Sequence, residues 1–254
     1  MKKTIVAKKR FSQNFLVDDA VIHQIIRLID PKSDDAIIEI GPGMGALTFP
    51  LLENLRSLEV VEIDRQIISF LQAKNIANLT IYDTDALKFD YNKTHPKVRV
   101  VGNLPYNIST PLLFHLSKFD NIIDMHFMLQ KEVVERICAS PNSHEYGRLS
   151  VMLQYKYNCY SVLDVSPDAF NPKPKVESAI IRIKPKALDQ WQMVDTHKLN
   201  QVVTLAFNQR RKTISNSLKK LITVEQLLQL EIDPKLRAEN LTVAQYIELS
   251  KLID

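Results

Sequence analysis

Residues 36–46 read AIIEIGPGMGA, a short apolar run that leads directly into three closely spaced glycines. The run from Ala36 to Ile40 has the length and composition of a buried strand. Gly41, Gly43 and Gly45 then supply a turn whose backbone can adopt unusual dihedral angles and approach a ligand closely. In a doubly wound sheet, a turn of this kind lies where the adenosine part of a cofactor binds.

Apolar segments on both sides of this stretch alternate between helical and extended character. Predicted helices cover residues 18–29, 46–55, 66–73, 110–116 and 131–139. Predicted strands cover residues 36–40, 58–63, 79–82, 98–101 and 122–129. The alternation predicts a Rossmann-like α/β fold, with a parallel sheet covered by helices on both faces. A further strand at 176–183 is bracketed by prolines, which predicts a separate hairpin-like excursion.

The strand pattern stops at about residue 187, and only helical segments follow. These segments cover residues 198–207, 213–221, 224–230 and 243–253. We therefore predict a Rossmann-like catalytic domain over residues 1–187 and a small all-α domain over residues 188–254. The chain has 254 residues, of which 45% are hydrophobic, and this suits one catalytic domain of ordinary size with a smaller appendage.

The net charge of +4 is unevenly distributed along the chain. Residues 1–10 carry five positive charges and no acid. A second basic cluster consists of Arg210, Arg211, Lys212, Lys219 and Lys220, again without an acid between them. Two such clusters on a nearly balanced chain favour contacts with nucleic-acid phosphates. A solvated tail and a solvated helix face are the alternative interpretation.

The sequence also excludes several classes of protein. No apolar run approaches the roughly 20 residues that a membrane-spanning helix needs, and the apolar stretch near the start is too short for a signal peptide. Cys138 and Cys159 match no metal-ligand spacing, which favours free thiols in a reducing compartment. We expect a cytoplasmic, monomeric protein without a metal ion.

Two acids follow predicted strands and indicate what the glycine turn could bind. Glu62 ends the strand at 58–63, where a carboxylate can accept hydrogen bonds from ribose hydroxyls. Asp85 follows the strand at 79–82 and can accept from the amino group of a cofactor adenine. Either acid could instead be a solvated strand end. The glycines also satisfy a G-x-G-x-x-A dinucleotide fingerprint, so a nicotinamide cofactor stays open at this point.

The turn Asn103-Leu104-Pro105-Tyr106, after the fourth of these strands, indicates a more specific chemistry. The lone pair of an adenine amino nitrogen is delocalised into the ring, so this nitrogen is a poor nucleophile. Acceptors on its two N–H bonds direct the lone pair towards a sulfonium methyl group. The Asn103 side-chain oxygen and the Leu104 carbonyl can be these acceptors, because Pro105 stiffens the turn. Tyr106 can stack on the base. Positioning and electrostatics would then provide most of the catalysis.

The chain as a whole resembles the KsgA-type ribosomal RNA adenine dimethyltransferases, from about residue 8 to residue 222. The resemblance rests on seven motifs in order: KRFSQNFL (9–16), EIGPGMG (39–45), NLPY (103–106), MLQKEV (128–133), YGRLSV (146–151), FNPKPKV (170–176) and FNQRRK (207–212). Each motif is moderately specific, and together in this order they are very specific.

The resemblance implies a Rossmann-like methyltransferase that uses S-adenosylmethionine. It implies that Asn14 and Leu16 close over the cofactor, and that Gly41, Glu62, Asp85 and Asn103 contact it. It also implies that Phe170 packs on the target base opposite Tyr106, although the residues alone favour core packing for Phe170. The family's reaction transfers four methyl groups to two adjacent adenines near the 3′ end of 16S rRNA during assembly of the small ribosomal subunit.

Three other functions compete with this prediction. One is a large-subunit (23S) adenine methyltransferase of the antibiotic-resistance type, which shares related turns. Another is a non-catalytic factor in subunit assembly, which intact Asn103, Tyr106 and Phe170 disfavour. A nicotinamide oxidoreductase is the third, and it has no need of an Asn-Leu-Pro-Tyr turn.

Overall fold

The computed structural model describes residues 14–187 and 194–253. Its strands are β1 (Phe15–Leu16), β2 (Ile37–Ile40), β3 (Leu58–Glu62), β4 (Leu79–Asp83), β5 (Val98–Asn103), β6 (Ile122–Gln130), β7 (Tyr157–Val165), β8 (Phe170–Asn171) and β9 (Ser178–Pro185). Its α-helices are α1 (Asp19–Ile29), α2 (Thr48–Leu52), α3 (Arg65–Gln72), α4 (Ser109–Leu116), α5 (Lys131–Cys138), α6 (Arg148–Gln154), α7 (Thr196–Phe207), α8 (Ile214–Leu218), α9 (Val224–Gln229) and α10 (Val243–Lys251).

Seven strands form the main sheet in the order β4-β3-β2-β5-β6-β9-β7. The pairs β3–β4, β2–β3, β2–β5 and β5–β6 are parallel, which confirms the predicted Rossmann-like class. Neighbours β2 and β5 are not consecutive in the chain. Their junction is therefore a topological switch point, the place where ligands bind in open parallel sheets.

Side-chain patterns explain why these segments form strands and helices. The strand β2 reads Ile-Ile-Glu-Ile and is buried along its whole length, as expected for a strand covered on both faces. Asp18 caps the start of α1, because its carboxylate accepts hydrogen bonds from the amides of Ala20 and Val21 at 2.9 and 3.1 Å. Such a cap satisfies amide groups that the first helical turn leaves without partners.

Two sequence predictions about the fold were wrong. The strand predicted as a separate excursion is β9, which joins the main sheet antiparallel to β6, with Phe127 opposite Ile181. The predicted helix over residues 46–55 contains only the five residues of α2, because the glycine turn continues to Leu47 before a helix can start. The structure also contains α6 and β7, which we did not predict.

The described chain divides into two compact units. The first contains the described residues up to Val134 together with Tyr160–Lys184. The second contains Glu135–Cys159 together with the described residues from Pro185 onward. The chain passes from the first unit to the second for the last time between Lys184 and Pro185, close to the boundary predicted at residue 187. The prediction, however, placed residues 135–159 in the catalytic domain.

Packing within the second unit explains why residues 135–159 belong there. Buried side chains of α7, such as Leu199 and Val202, form part of its core. The ring of Tyr146 lies 6.1 Å from that of Phe207, and the Phe207 ring lies 5.8 Å from that of Tyr246. An aromatic cluster of this kind joins segments that are distant in sequence.

Candidate active site

The glycine turn after β2 passes through left-handed backbone conformations. Gly41, Gly43 and Gly45 have φ angles of 67°, 54° and 89°, a region that residues with a Cβ atom rarely adopt. The Gly41 amide donates a hydrogen bond to the Val61 carbonyl at 3.0 Å. The turn is therefore anchored to β3 while its backbone remains open to a ligand.

A cavity of about 330 Å³ lies at the carboxyl ends of β2 to β5, beside the glycine turn. It is lined by all six residues predicted to bind the cofactor: Asn14, Leu16, Gly41, Glu62, Asp85 and Asn103. Leu104 and Tyr106 line the same cavity. The volume lies at the lower end of the roughly 300–1,000 Å³ of small-molecule sites. The structure thus brings the glycine turn and the Asn-Leu-Pro-Tyr turn together, as the predicted chemistry requires.

Backbone amides hold the two predicted nucleoside-binding acids. Glu62 Oε1 accepts hydrogen bonds from the amides of Ile63 and Asp64, both at 2.7 Å. Asp85 Oδ1 accepts from the Leu87 amide at 2.9 Å. The Thr84 amide donates to the Glu62 carbonyl at 3.0 Å, which joins the two strand ends. These bonds fix the directions of both carboxylates before any ligand binds.

Asn103 and Leu104 present the two acceptors that the predicted chemistry needs. The Asn103 Nδ2 group donates to the Asn14 carbonyl at 3.2 Å, and this orients the amide. Among the described residues, neither Asn103 Oδ1 nor the Leu104 carbonyl has a hydrogen-bond donor. The Leu104 amide donates to the Met128 carbonyl at 3.1 Å, which holds the turn against β6. Two unpaired oxygens therefore remain beside the cavity.

Tyr106 is held by a residue that sequence reasoning did not identify. Its hydroxyl lies 2.9 Å from the Oγ of Ser178, a fully buried residue at the start of β9. The ring is half-buried and lines the cavity. Ser178 could have been recognised only by knowing that β9 pairs with β6.

Phe170 packs in the apolar core of the described structure. It pairs with Leu16 through β8 and β1, it is only 5% exposed, and it belongs to the apolar core. It is not among the described residues that line the cavity. The structure thus supports the interpretation made from the residues without the resemblance, namely that Phe170 packs in the core. Its contact with a target base stays a prediction.

Glu39 lines the cavity and was also missed by sequence reasoning. It is 2% exposed, and its Oε2 accepts a hydrogen bond from the Thr48 hydroxyl at 2.6 Å. Burial raises its pKa to about 7, the nearby charge of Glu62 adds to the rise, and the Thr48 hydrogen bond opposes it. The available signal was an acid inside an apolar run directly before the glycines.

Arg210 differs from the other members of the second basic cluster in its contacts with the protein. Arg210 Nη2 donates to the carbonyls of His144 and Tyr146 at 2.7 and 3.2 Å and to the Glu239 carboxylate at 3.2 Å. These protein contacts compete with the predicted role of Arg210 in phosphate binding. Arg210 is exposed, as are the other four members, Arg211, Lys212, Lys219 and Lys220. None of these four forms an ion pair within the described part of the chain.

Two other expectations concern metal binding and the first residues of the chain. Among residues 14–187 and 194–253, no group of three or more His, Cys, Asp or Glu side chains could hold a metal ion. The basic cluster predicted over residues 1–10 lies outside the described residues.

A separate finding concerns helix length. None of the helices in the described ranges is long and apolar enough to span a bilayer.

Comparison with known sequences shows the family. A family model described as Ribosomal RNA adenine dimethylase matches residues 5–254. A Ribosomal RNA small subunit methyltransferase A from Methylobacillus flagellatus is 53% identical over 250 residues, which cover 98% of each chain. A protein of the same name from Escherichia fergusonii is 51% identical over 255 residues, which cover 98% of this chain and 93% of the relative.

Solved structures show the same fold. A dimethyladenosine transferase from Plasmodium falciparum matches with a TM-score of 0.80 and 26% identity, over 92% of this chain and 95% of that one. The 23S rRNA methyltransferase ErmE matches with a TM-score of 0.74 and 24% identity, over 95% and 100%. At that identity the match to ErmE shows a shared fold and no more. The glycine turn, the Asn-Leu-Pro-Tyr turn and these matches agree, and the chain belongs to the ribosomal RNA adenine dimethylase family.

Proposed function

We propose that this chain dimethylates the exocyclic amino groups of two adjacent adenines near the 3′ end of 16S rRNA, with S-adenosylmethionine as methyl donor. The observation that carries the proposal is the meeting of Gly41 with Asn103, Leu104 and Tyr106 in one cavity. Relatives that are about half identical over nearly the whole chain bear the name of a small-subunit rRNA methyltransferase. We expect the protein to act as a monomer in the cytoplasm, where it would meet assembling subunits.

The cavity has the chemistry that a sulfonium cofactor needs. Its described walls contain three carboxyl side chains, Glu39, Glu62 and Asp85, and no lysine, arginine or histidine. Such walls favour a ligand with positive charge. Glu62 would hold the ribose hydroxyls and Asp85 the adenine amino group. Asn14 and Leu16 would close over the cofactor. When bound, S-adenosylmethionine supplies the electrophilic methyl group.

The protein's contribution to methyl transfer is to orient the target nitrogen. Asn103 Oδ1 and the Leu104 carbonyl would accept hydrogen bonds from the two amino hydrogens, which directs the nitrogen lone pair into the cavity. Because both oxygens lack donors in the described structure, no internal bond has to break first. Preorganised acceptors of this kind act without reorganisation at the moment of reaction.

The target adenine must leave its stack to enter the cavity, which costs a few kcal/mol. Stacking on the Tyr106 ring would recover roughly 1–3 kcal/mol. The exposed cations Arg211, Lys212, Lys219 and Lys220 would hold phosphates and set the register of the RNA without reading its bases. We therefore propose that the all-α region after residue 187 binds RNA.

The competing functions find less support. A large-subunit methyltransferase would share the fold, as ErmE does, but the relatives of about 50% identity carry the small-subunit name. A non-catalytic assembly factor would not need the acceptor pair of Asn103 and Leu104 beside the glycine turn. A nicotinamide enzyme would leave the Asn-Leu-Pro-Tyr turn without a role.

The test is transfer of labelled methyl groups from S-adenosylmethionine to small and large subunits from cells that lack this enzyme. Primer extension on both ribosomal RNAs locates the product. The Asn103→Ala variant should be slower by about 10²–10³, the usual effect of removing one transition-state hydrogen-bond partner. Asn92→Ala, an exposed residue outside the cavity, is the matched control. Undiminished turnover in Asn103→Ala would refute the assigned role, and labelling of 23S rRNA alone would refute the substrate.

A further inference from the structure

Glu39 is a buried carboxyl group that the proposed reaction leaves unused. It is the third residue of β2, and within the described part of the chain only the Thr48 hydroxyl donates a hydrogen bond to its side chain. Its Oε1 therefore has no donor there. Since Glu39 lines the cavity, an unpaired carboxyl oxygen remains beside the cofactor site.

The groups around Glu39 offer it no positive charge. The Thr48 hydroxyl of α2 bonds to its side chain, and the charge of Glu62 on β3 acts on it. Asp85 after β4 and Asn103 of β5 line the same cavity. The described walls of the cavity hold no lysine, arginine or histidine. Burial and the Glu62 charge both disfavour the ionised form of Glu39, which agrees with a pKa raised to about 7.

We propose that Glu39 holds a proton in the cofactor-free protein and releases it to solvent when the cationic cofactor binds. No covalent bond to the cofactor forms: the O–H bond of the carboxyl group breaks, the proton goes to the buffer, and the carboxylate remains as a counter-ion. The inference rests on the proposed binding of S-adenosylmethionine. Glu39 is thus a positioning and charge-compensating residue, in addition to those that hold the nucleoside.

The proposed ionisation makes the protein prefer the methyl donor to its product. S-adenosylmethionine carries a sulfonium charge that the product, S-adenosylhomocysteine, has lost. A carboxylate without that charge nearby is less favourable, so product release should be accompanied by return of a proton. Affinity for the donor should fall by up to tenfold for each pH unit below about 7 and level off above it.

Titration calorimetry in two buffers of different ionisation enthalpy measures the protons released on binding. With a pKa of about 7, Glu39 should contribute about 0.9 proton at pH 6 and about 0.1 at pH 8. The cofactor's own amino group titrates near pH 8, so the informative quantity is the difference between wild type and Glu39→Gln. The glutamine can still accept the Thr48 hydrogen bond but has no proton to release. Glu53→Gln, an exposed acid at the end of α2, is the matched control and should behave as wild type.

A second measurement keeps the inference testable if Glu39→Gln does not fold. Infrared difference spectra of the wild-type protein at pH 6 should lose a protonated-carboxyl band and gain a carboxylate band when S-adenosylmethionine is added. In Thr48→Val, which removes the donor that favours the ionised form, proton release should extend to higher pH. Equal proton release by wild type and Glu39→Gln, or an unchanged infrared band, would overturn the inference while the proposed function stands. No detectable binding by the wild-type protein would overturn the proposed function itself and this inference with it.

Discussion

The substitution Gly102→Ala tests whether β2 and β5 must stay in close contact for the site to form. A Cβ atom at Gly102 would lie 2.4 Å from the Ile40 carbonyl oxygen and 3.3 Å from its carbonyl carbon. The first separation must grow by at least about 0.6 Å to reach 3.0 Å, below which real Cβ contacts essentially never occur. Both partners are backbone atoms inside paired strands, so no flexible side chain can give way.

The expected cost is that of an overpacked core, about 1–3 kcal/mol. The lower flexibility of alanine in the unfolded chain offsets about 0.4–1 kcal/mol of this. Ile40 directly precedes the glycine turn and Asn103 directly follows Gly102, so the same displacement moves both halves of the site. We therefore expect weaker binding of S-adenosylmethionine together with lower stability.

Urea denaturation and titration calorimetry measure the two effects. The control is Gly147→Ala, because Gly147 is extended and its added Cβ would come no closer than 3.8 Å to the Glu145 carbonyl oxygen. That variant should range from unchanged to about 1 kcal/mol more stable. If Gly102→Ala matched it in stability and in cofactor affinity, the close approach of the two strands would not be what shapes the site.

Three further predictions concern a titrating acid, a core ring and the basic cluster. Since the pKa of Glu39 is about 7 when folded against 4.5 ordinarily, the native state holds the extra proton between these values. Stability without cofactor should therefore fall as pH rises from about 4.5 to 7, by up to about 3 kcal/mol; urea denaturation of Glu39→Gln should lack this slope, and a retained slope would contradict its cause. Phe170→Ala should lose about 3–5 kcal/mol of stability as a core ring, and a loss below about 1 kcal/mol would show instead that the ring is free to meet a base. Neutralising Arg211 and Lys212 together should flatten the salt dependence of RNA binding by up to about two phosphate equivalents, whereas an unchanged slope would show that neither residue contacts RNA.

The alternation of helices and strands was predictable because it depends on local apolar periodicity. The place of β9 was not, because nothing within residues 178–185 says that they pair with β6 rather than with a hairpin partner. The strand β7 was missed for a different reason. Along β7, exposed and partly buried residues such as Tyr160 and Leu163 do not alternate regularly, as expected for a strand at the edge of a sheet.

The gathering of the predicted site residues at one cavity was also predictable. The carboxyl ends of parallel strands meet at one edge, so Gly41, Glu62, Asp85 and Asn103 had to lie near one another. The contacts of Arg210 could not be foreseen, because its acceptors His144 and Tyr146 are more than 60 residues away in sequence. Such partners depend on tertiary packing, which a local sequence pattern does not contain.

The bond between the Tyr106 hydroxyl and Ser178 has a consequence for the timing of base capture. A tyrosine side chain that rotated freely would lose conformational entropy when the adenine binds, and that loss would lower the affinity. Here the hydrogen bond to Ser178 already holds the Tyr106 hydroxyl against β9. For the proposed stacking of an adenine on Tyr106, much of this entropy would therefore have been lost during folding, before the RNA binds.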